Sequence, residues 1–296
     1  MKKRKKWMII FLVLFILLAI FLYYQNNHLG LSKYEIENKN IPSEFDGYKI
    51  IQISDLHSKE FGESQKKLVE KIKKSKPDIV VFTGDMVDRR ALRLSPFLNV
   101  IKCLEDVTPM YYVFGNHEMF YEPYNENSKE GQRIRSELKK TNVVLLENEA
   151  VEIKRGEDTL KLLGISDPSN PFVGNDRVEM IPEVDRAKMS INMARENKRE
   201  QNSFELLLSH RPELLDLYEN EKIDLVLSGH AHGGQIRIPF IGGIIAPNQG
   251  FFPRITEGVH EKGETKLVVS RGLGNSLFPF RILNTPEIVE ITLKKK

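Results

Sequence analysis

The chain has 296 residues, 41% hydrophobic and 29% charged, which is the composition of a globular protein with one large domain or two small ones. Its one cysteine, Cys103, excludes an internal disulfide framework and a thiolate zinc site. The formal charge of +3 originates in five basic residues at positions 2–6. Without them 39 Lys and Arg face 41 Asp and Glu, so the remainder is near neutral and nucleic acid is not an expected partner.

In chain order, residues 1–6 form a basic tail. Trp7 to Tyr24 carries no charge, and at 1.5 Å per residue its 18 residues span about 27 Å, close to the hydrocarbon thickness of a bilayer. Trp7, Tyr23 and Tyr24 mark its two ends, where aromatic rings favour the interface. The basic tail is expected to stay cytoplasmic and the rest to lie across the membrane. No small-x-small site follows, so an uncleaved anchor is expected rather than a removed signal peptide. The polar stretch from Gln25 to Asp46 reads as a linker, and residues 47–293 as the catalytic domain.

Tyr48 to Ser54, Asp78 to Thr83 and Met110 to Phe114 read as strands, alternating with helices over Gly62–Lys74, Pro96–Leu104 and Lys129–Lys140. Cys103 sits in the second of these helices, in an apolar stretch, and is expected to be a small buried hydrophobe. The alternation predicts an α/β fold. Strands are further expected at Val143–Leu146, Ala150–Lys154 and Thr159–Ile165. Pro171 to Asn202 reads as a polar, helix-prone insertion over the site. Strands resume at Phe204–Ser209, Leu225–Ser228 and Glu287–Leu293, and Lys294–Lys296 reads as a solvated tail.

Five segments share one property: a hydrophobic run ends in side chains able to bind metal. They are Asp55-Leu56-His57, Gly84-Asp85-Met86-Val87-Asp88, Gly115-Asn116-His117-Glu118, Ser209-His210-Arg211 and Gly229-His230-Ala231-His232. Loops at the strand ends of open α/β sheets are where ligands bind. One such segment would be weak evidence, but five of the seven histidines fall in them. Imidazole with carboxylate and amide oxygen, and no thiolate, points to first-row divalent ions. In D-x-H and H-x-H, strand alternation would aim both side chains to one side. Gly84, Gly115 and Gly229 would permit tight turns and close backbone approach.

In this order the motifs D-x-H, G-D-x-x-D, G-N-H-E, a lone His and G-H-x-H resemble the calcineurin-like metallophosphoesterases. The segments SHRPELLDL, GHAHGGQ and SRGLGN are similar to the branch of membrane-associated bacterial phosphodiesterases. The resemblance implies a four-layer α/β/β/α sandwich. It assigns Asp55, His57 and His232 to one metal and Asn116, His210 and His230 to the other, with Asp85 bridging. His117 would face the substrate and stabilise or protonate the leaving oxygen, and Asp88 would hydrogen-bond its ring, orient it and raise its basicity. Arg90 follows Arg89 where phosphoprotein phosphatases have glycine. The cofactor expected is a pair of divalent ions, manganese first, with iron or zinc as alternatives.

Arg211, Arg271 and Asn275 are candidates to meet the substrate phosphate. Phe251, Phe252, Leu277, Phe278 and Phe280 are expected to pack in the core, or else to form an apolar rim touching lipid. His28 and His260 read as surface residues. No G-x-S-x-G elbow or phosphate-binding G-x-x-x-x-G-K loop is present. The expected activity is hydrolysis of a phosphodiester or pyrophosphate in an envelope or lipid-linked substrate. The alternatives are a phosphomonoesterase or protein phosphatase, and a non-catalytic metal-binding envelope protein.

Overall fold

The computed structural model describes residues 2–121, 128–174, 176–178, 180–196, 203–275 and 278–296. Helix α1 (Lys2–Asn27) takes in the basic tail and the apolar stretch. Its most apolar window has a mean hydropathy of 2.8 and is wholly unburied, so it is long and apolar enough to cross a membrane. The chain continues through β1 (Gly30–Asn38), β2 (Lys49–Ile53), α2 (Lys66–Ser75), β3 (Ile79–Phe82), α3 (Ser95–Leu104), β4 (Met110–Tyr112), the short α4 (Asn116–Met119), α5 (Lys129–Leu138) and β5 (Val144–Leu145). Next come β6 (Glu149–Arg155), β7 (Asp158–Gly164), the paired β8 (Phe172–Val173) and β9 (Asp176–Arg177), α6 (Glu183–Glu196), β10 (Glu205–Leu208), α7 (Leu215–Asn220) and β11 (Leu225–Ser228). Two small hairpins follow: β12 (Arg237–Ile238) with β13 (Gly242–Gly243), and β14 (Ile245–Ala246) with β15 (Gly250–Phe251). The last elements are β16 (Gly258–Lys262), β17 (Thr265–Val269) and β18 (Glu287–Lys295).

Two six-stranded sheets form, in the orders β1-β18-β2-β3-β4-β5 and β16-β17-β11-β10-β7-β6. Side chains alternate across each strand, so each sheet has two faces to bury. Ile50, Ile79 and Val81 of the first sheet meet Leu160, Leu206 and Leu225 of the second between the sheets. On the outer face of the first sheet, Ile51, Val80 and Phe82 pack against α2, α3 and α5. On the outer face of the second, Leu163, Leu207 and Val226 pack against α6 and α7. These three apolar layers separate four layers of structure, the sandwich expected.

Four local expectations are corrected. The linker contains β1, which lies on the first sheet and pairs in parallel with all nine residues of β18, from Gly30–Glu287 to Asn38–Lys295. The same ladder takes Lys294 and Lys295 out of the supposed tail. The segment expected to cover the site instead supplies α6, whose Ala187, Ile191 and Ala194 are buried against the second sheet; residues 197–202 lie outside the described residues. Cys103 is exposed. Helix α3 buries Phe97, Val100, Ile101 and Leu104, a 3.6-residue periodicity that leaves position 103 on the solvent side.

Candidate metal centre

In the first sheet β2, β3 and β4 run parallel, and in the second β7, β10, β11 and β17 do. Asp55 and His57 follow β2, Asp85 follows β3, and Asn116 and His117 follow β4. His210 follows β10, while His230 and His232 follow β11. The carboxyl ends of both sheets therefore deliver these side chains to one place.

The ligand loops are not extended strand ends. Asp55 (φ 50°), His57 (φ 47°), Asp85 (φ 57°), His230 (φ 64°) and His232 (φ 49°) all sit in the left-handed region. D-x-H and H-x-H thus present their side chains from left-handed turns, which corrects the strand-alternation account. Such residues cost of order 1–3 kcal/mol each and persist where surrounding structure holds them. Part of that hold is visible. The His230 N–H donates to both Asp55 oxygens at 3.1 Å, and the His117 N–H donates to Asp85 Oδ1 at 2.8 Å. Gly84 has φ 96°, a conformation that favours glycine, and a Cβ there would lie 2.5 Å from His210 Nδ1. At Gly229 the need is space, since a Cβ would overlap Ser54 Oγ and Asp55 Oδ2.

Two donor groups converge. In the first, His57 Nε2 lies 3.2 Å from His232 Nε2, 3.7 Å from Asp85 Oδ2 and 4.0 Å from Asp55 Oδ1, and His232 Nε2 lies 3.3 Å from Asp55 Oδ1. In the second, His210 Nε2 lies 3.2 Å from Asp85 Oδ2 and 3.2 Å from His230 Nδ1. Asp85 Oδ2 belongs to both. Donors held tetrahedrally at about 2.0–2.2 Å from a cation stand roughly 3.3–3.6 Å apart, so these spacings suit a shared ion in each group.

The protonation states agree. Burial pushes His57 down to about 3 and holds His230 and His232 well below their usual range, so their rings are neutral and carry lone pairs. The 3.2 Å approach of the His57 and His232 nitrogens is one that lone pairs turned on a shared cation also satisfy. Asn116 Oδ1 is buried without a hydrogen-bond partner among the described residues, which suits a ligand oxygen. His210 Nδ1 donates to Thr83 O at 2.7 Å, which turns Nε2 toward the site. Burial opposes charge on His210, but Asp85 raises it to about 10 while no cation competes. Burial also lifts Asp55 to about 6. The residues present therefore fit a pair of divalent ions.

His117 stands beside this centre, with Nε2 4.0 Å from Asp85 Oδ2. Its Nδ1 accepts the Arg89 backbone N–H at 3.1 Å, which leaves the ring proton on Nε2. Asp88 lies 3.8 Å from Nδ1, too far for the hydrogen bond expected of it. Its carboxylate instead takes the Arg90 N–H at 2.8 Å and the Arg90 guanidinium. Asp88 therefore shapes the turn that aims the Arg89 N–H.

The three candidate phosphate contacts are placed differently. Arg211 is 4% exposed and makes a two-pronged pair with Asp167, at 2.6 and 2.8 Å. Arg271 is held by Glu287 and Glu257. Both guanidiniums are committed to protein carboxylates, so their geometry does not support a grip on substrate. The Asn275 amide donates to Asn26 Oδ1 at 3.2 Å and to Pro279 O at 2.7 Å.

Three supporting residues were not singled out in the sequence. Glu118 is fully buried and accepts from the N–H groups of Asp85, Val87 and Gly115, each at 2.9 Å, tying two ligand loops together. Burial, then the nearby Asp85 charge, lifts its carboxyl to about 7. Its position as the last letter of G-N-H-E was the available signal. Asp167 carries Arg211 and had no signal beyond a Ser-Asp-Pro turn. Arg281 is wholly buried, donates to Gly274 O and Arg271 O, and lies 3.5 Å from His232 Nδ1; nothing in Phe-Pro-Phe-Arg marked it.

Comparison with known proteins adds the relatives. YkuE, an uncharacterized metallophosphoesterase of Bacillus subtilis, is 29% identical over 92% of this chain and 88% of its own length. An uncharacterized metallophosphoesterase of Campylobacter jejuni is 31% identical over 97% of this chain and 71% of its own. The phosphodiesterase YaeI of Escherichia coli is 28% identical over 83% and 82%. The family model described as calcineurin-like phosphoesterase matches residues 48–234. Because that match runs through every ligand segment from Asp55 to His232, the chain belongs to the calcineurin-like phosphoesterase family and is a metal-dependent hydrolase of phosphoric esters.

Proposed function

We propose that this chain is a membrane-anchored phosphodiesterase or pyrophosphatase acting on an envelope or lipid-linked substrate. Asp55, His57, His232 and Asp85 would hold one divalent ion, and Asp85, Asn116, His210 and His230 the other, with manganese the first choice. The observation that carries the reading is Asp85 Oδ2 standing within 3.7 Å of His57 Nε2 and 3.2 Å of His210 Nε2, one carboxylate oxygen common to both donor groups. Two such ions, when bound, polarise the phosphoryl oxygens and the attacking water.

The protein side chains do the rest. His117, with its proton on Nε2, is aimed to give that proton to the departing oxygen. The Arg89 N–H keeps the ring in that tautomer, and Asp88 keeps Arg89 in place. Glu118 holds the Asp85 and Gly115 loops at fixed separation. Arg89 is exposed, forms no ion pair among the described residues and has its backbone N–H on His117, so its side chain is a candidate to meet a phosphate. The relative YaeI, a phosphodiesterase, supports the diester class. Helix α1 supports the membrane setting, with the domain on the extracytoplasmic side by the positive-inside rule.

The test is a manganese-supplemented assay of the full chain in detergent on a diester, a monoester and a pyrophosphate of one leaving group. Diester or pyrophosphate turnover above monoester turnover is expected. Monoester preference would move the reading to a phosphomonoesterase, and no turnover would leave a metal-binding protein.

A further inference from the structure

Helix α1 does not end free of the domain. The Asn26 side-chain oxygen accepts from the Arg281 backbone N–H at 3.0 Å and from the Asn275 amide at 3.2 Å. The Gln25 oxygen accepts from the Asn284 N–H at 3.2 Å, and the Asn26 carbonyl accepts from Lys59 Nζ. Each of these partners belongs to the site's own loops. Lys59 is two residues past His57, the Arg281 guanidinium approaches His232, and the Asn284 amide donates to His232 O at 2.7 Å. The helix end is thus bolted to the floor of the metal centre.

This docking fixes where the neighbouring loop sits relative to the bilayer. Phe15, Leu18 and Leu22 of α1 share a groove of about 550 Å³ with Asn275, Pro279 and Phe280. Phe15 stands nine residues before Tyr24, about 14 Å deeper along the helix axis. If Tyr24 marks the interface, a loop reaching toward Leu22 and Phe15 lies below it. The loop is built for that: Phe278 is 44% and Phe280 46% exposed, a composition water would not favour. The β12–β15 hairpins are tied to the same segment through the Ile236–Ile282 bridge and the Arg237 N–H to Ile282 O bond at 3.0 Å. They present Phe240, Ile241, Phe251 and Phe252 to the outside, Phe240 entirely so. Arg254 is exposed just beyond, where a long cationic side chain can reach headgroups.

We propose that the loop face carrying Phe240, Phe251, Phe252, Phe278 and Phe280 is seated in the lipid bilayer beside helix α1, which holds the metal centre at headgroup level. The occupant of the groove is lipid hydrocarbon. The proposal rests on α1 spanning the membrane, and it deepens the lipid-linked reading by giving the substrate's tail a place to remain.

The experiment uses the full chain in phosphatidylethanolamine and phosphatidylglycerol vesicles. Cys103→Ser provides a cysteine-free background, and single cysteines at Phe280→Cys, Phe240→Cys, Leu14→Cys and Glu157→Cys carry an environment-sensitive fluorophore. Nitroxide-bearing lipid is then added. Emission at 280 and 240 is expected to fall as much as at mid-span position 14, and emission at 157 to be unaffected. If position 14 is quenched while 280 and 240 are not, the seated face is wrong and the spanning helix stands. If 280 and 240 read as apolar but ignore the nitroxide, protein covers the face, as a second copy would, and the proposal is again overturned. If position 14 is not quenched, the span itself fails and the proposal with it.

Discussion

His117 holds its Nε2 proton because a backbone N–H, not a carboxylate, occupies Nδ1. Replacing it with Ala is expected to cut kcat by about 10²–10⁴ while metal content, read by atomic emission, stays at wild type. Asp88 acts one step further away, through the turn at Arg90. Asp88→Asn is therefore expected to cost less, roughly 10-fold to 100-fold; an equal loss in both variants would show that the carboxylate itself is needed at the ring. Asp167 makes a stability prediction. Burial opposes its charge, but the paired Arg211 guanidinium wins and holds the carboxyl below the usual range. A depressed carboxylate contributes stability above its unfolded pKa of about 3.9 and loses it as pH falls below that. Asp167→Asn removes the two-pronged partner and leaves buried Arg211 only Glu213 at 3.3 Å and Glu183 at 3.8 Å, at a cost of up to about 3–5 kcal/mol in denaturant melts near neutral pH. The difference from wild type should shrink as the pH is lowered below 4.

Strand β1 is the element on which sequence and structure part most usefully. Gly30–Asn38 is half-exposed, with Ile36 buried and Glu35 and Glu37 facing out, so its polar residues read as linker although Tyr34 and Ile36 keep a two-residue period. The ligand motifs were legible because chemistry is carried by residue identity: five loops, each ending an apolar run, need no geometry to be noticed. Their left-handed backbone was not legible, because Asp and His adopt those angles at only a minority of positions and nothing in the sequence marks which. The Arg211–Asp167 pair was invisible for the same reason, 44 residues separating its partners. The β1 finding changes how the domain should be cut. A fragment beginning at Tyr24 keeps β1 and the Gln25 and Asn26 contacts, and is expected to melt cooperatively. One beginning at Lys39 exposes the edge of β18 and the pocket of Ile36, a residue worth about 1.5–3 kcal/mol of burial by itself. It is expected to melt several degrees lower or to aggregate, and scanning calorimetry of the two decides it.

At the scale of the whole molecule, the two sheets are joined at their carboxyl ends by a cluster of buried imidazoles and carboxylates that have few partners other than each other. Removing cations should therefore loosen the sandwich as well as silence it. Chelation is expected to abolish hydrolysis and to lower the Tm, and an excess of Mn²⁺ at about 100 times its Kd should restore about 2.7 kcal/mol. At an unfolding entropy of about 2.1 cal/mol/K per residue, that corresponds for a chain of this size to a shift of about 4–5 °C, readable by differential scanning fluorimetry. A Tm indifferent to chelation would mean that the donors do not hold ions together. One topological fact reaches beyond equilibrium. Strand β18 is made after every other element described, yet it lies between β1 and β2 rather than at an edge. On the ribosome the first sheet must wait, split, with β1 and β2 each offering an unfilled side to any passing strand. A premature stop codon a few residues upstream of Glu287 would thus remove a central rib, and the nascent chain would be handed to proteases rather than merely shortened.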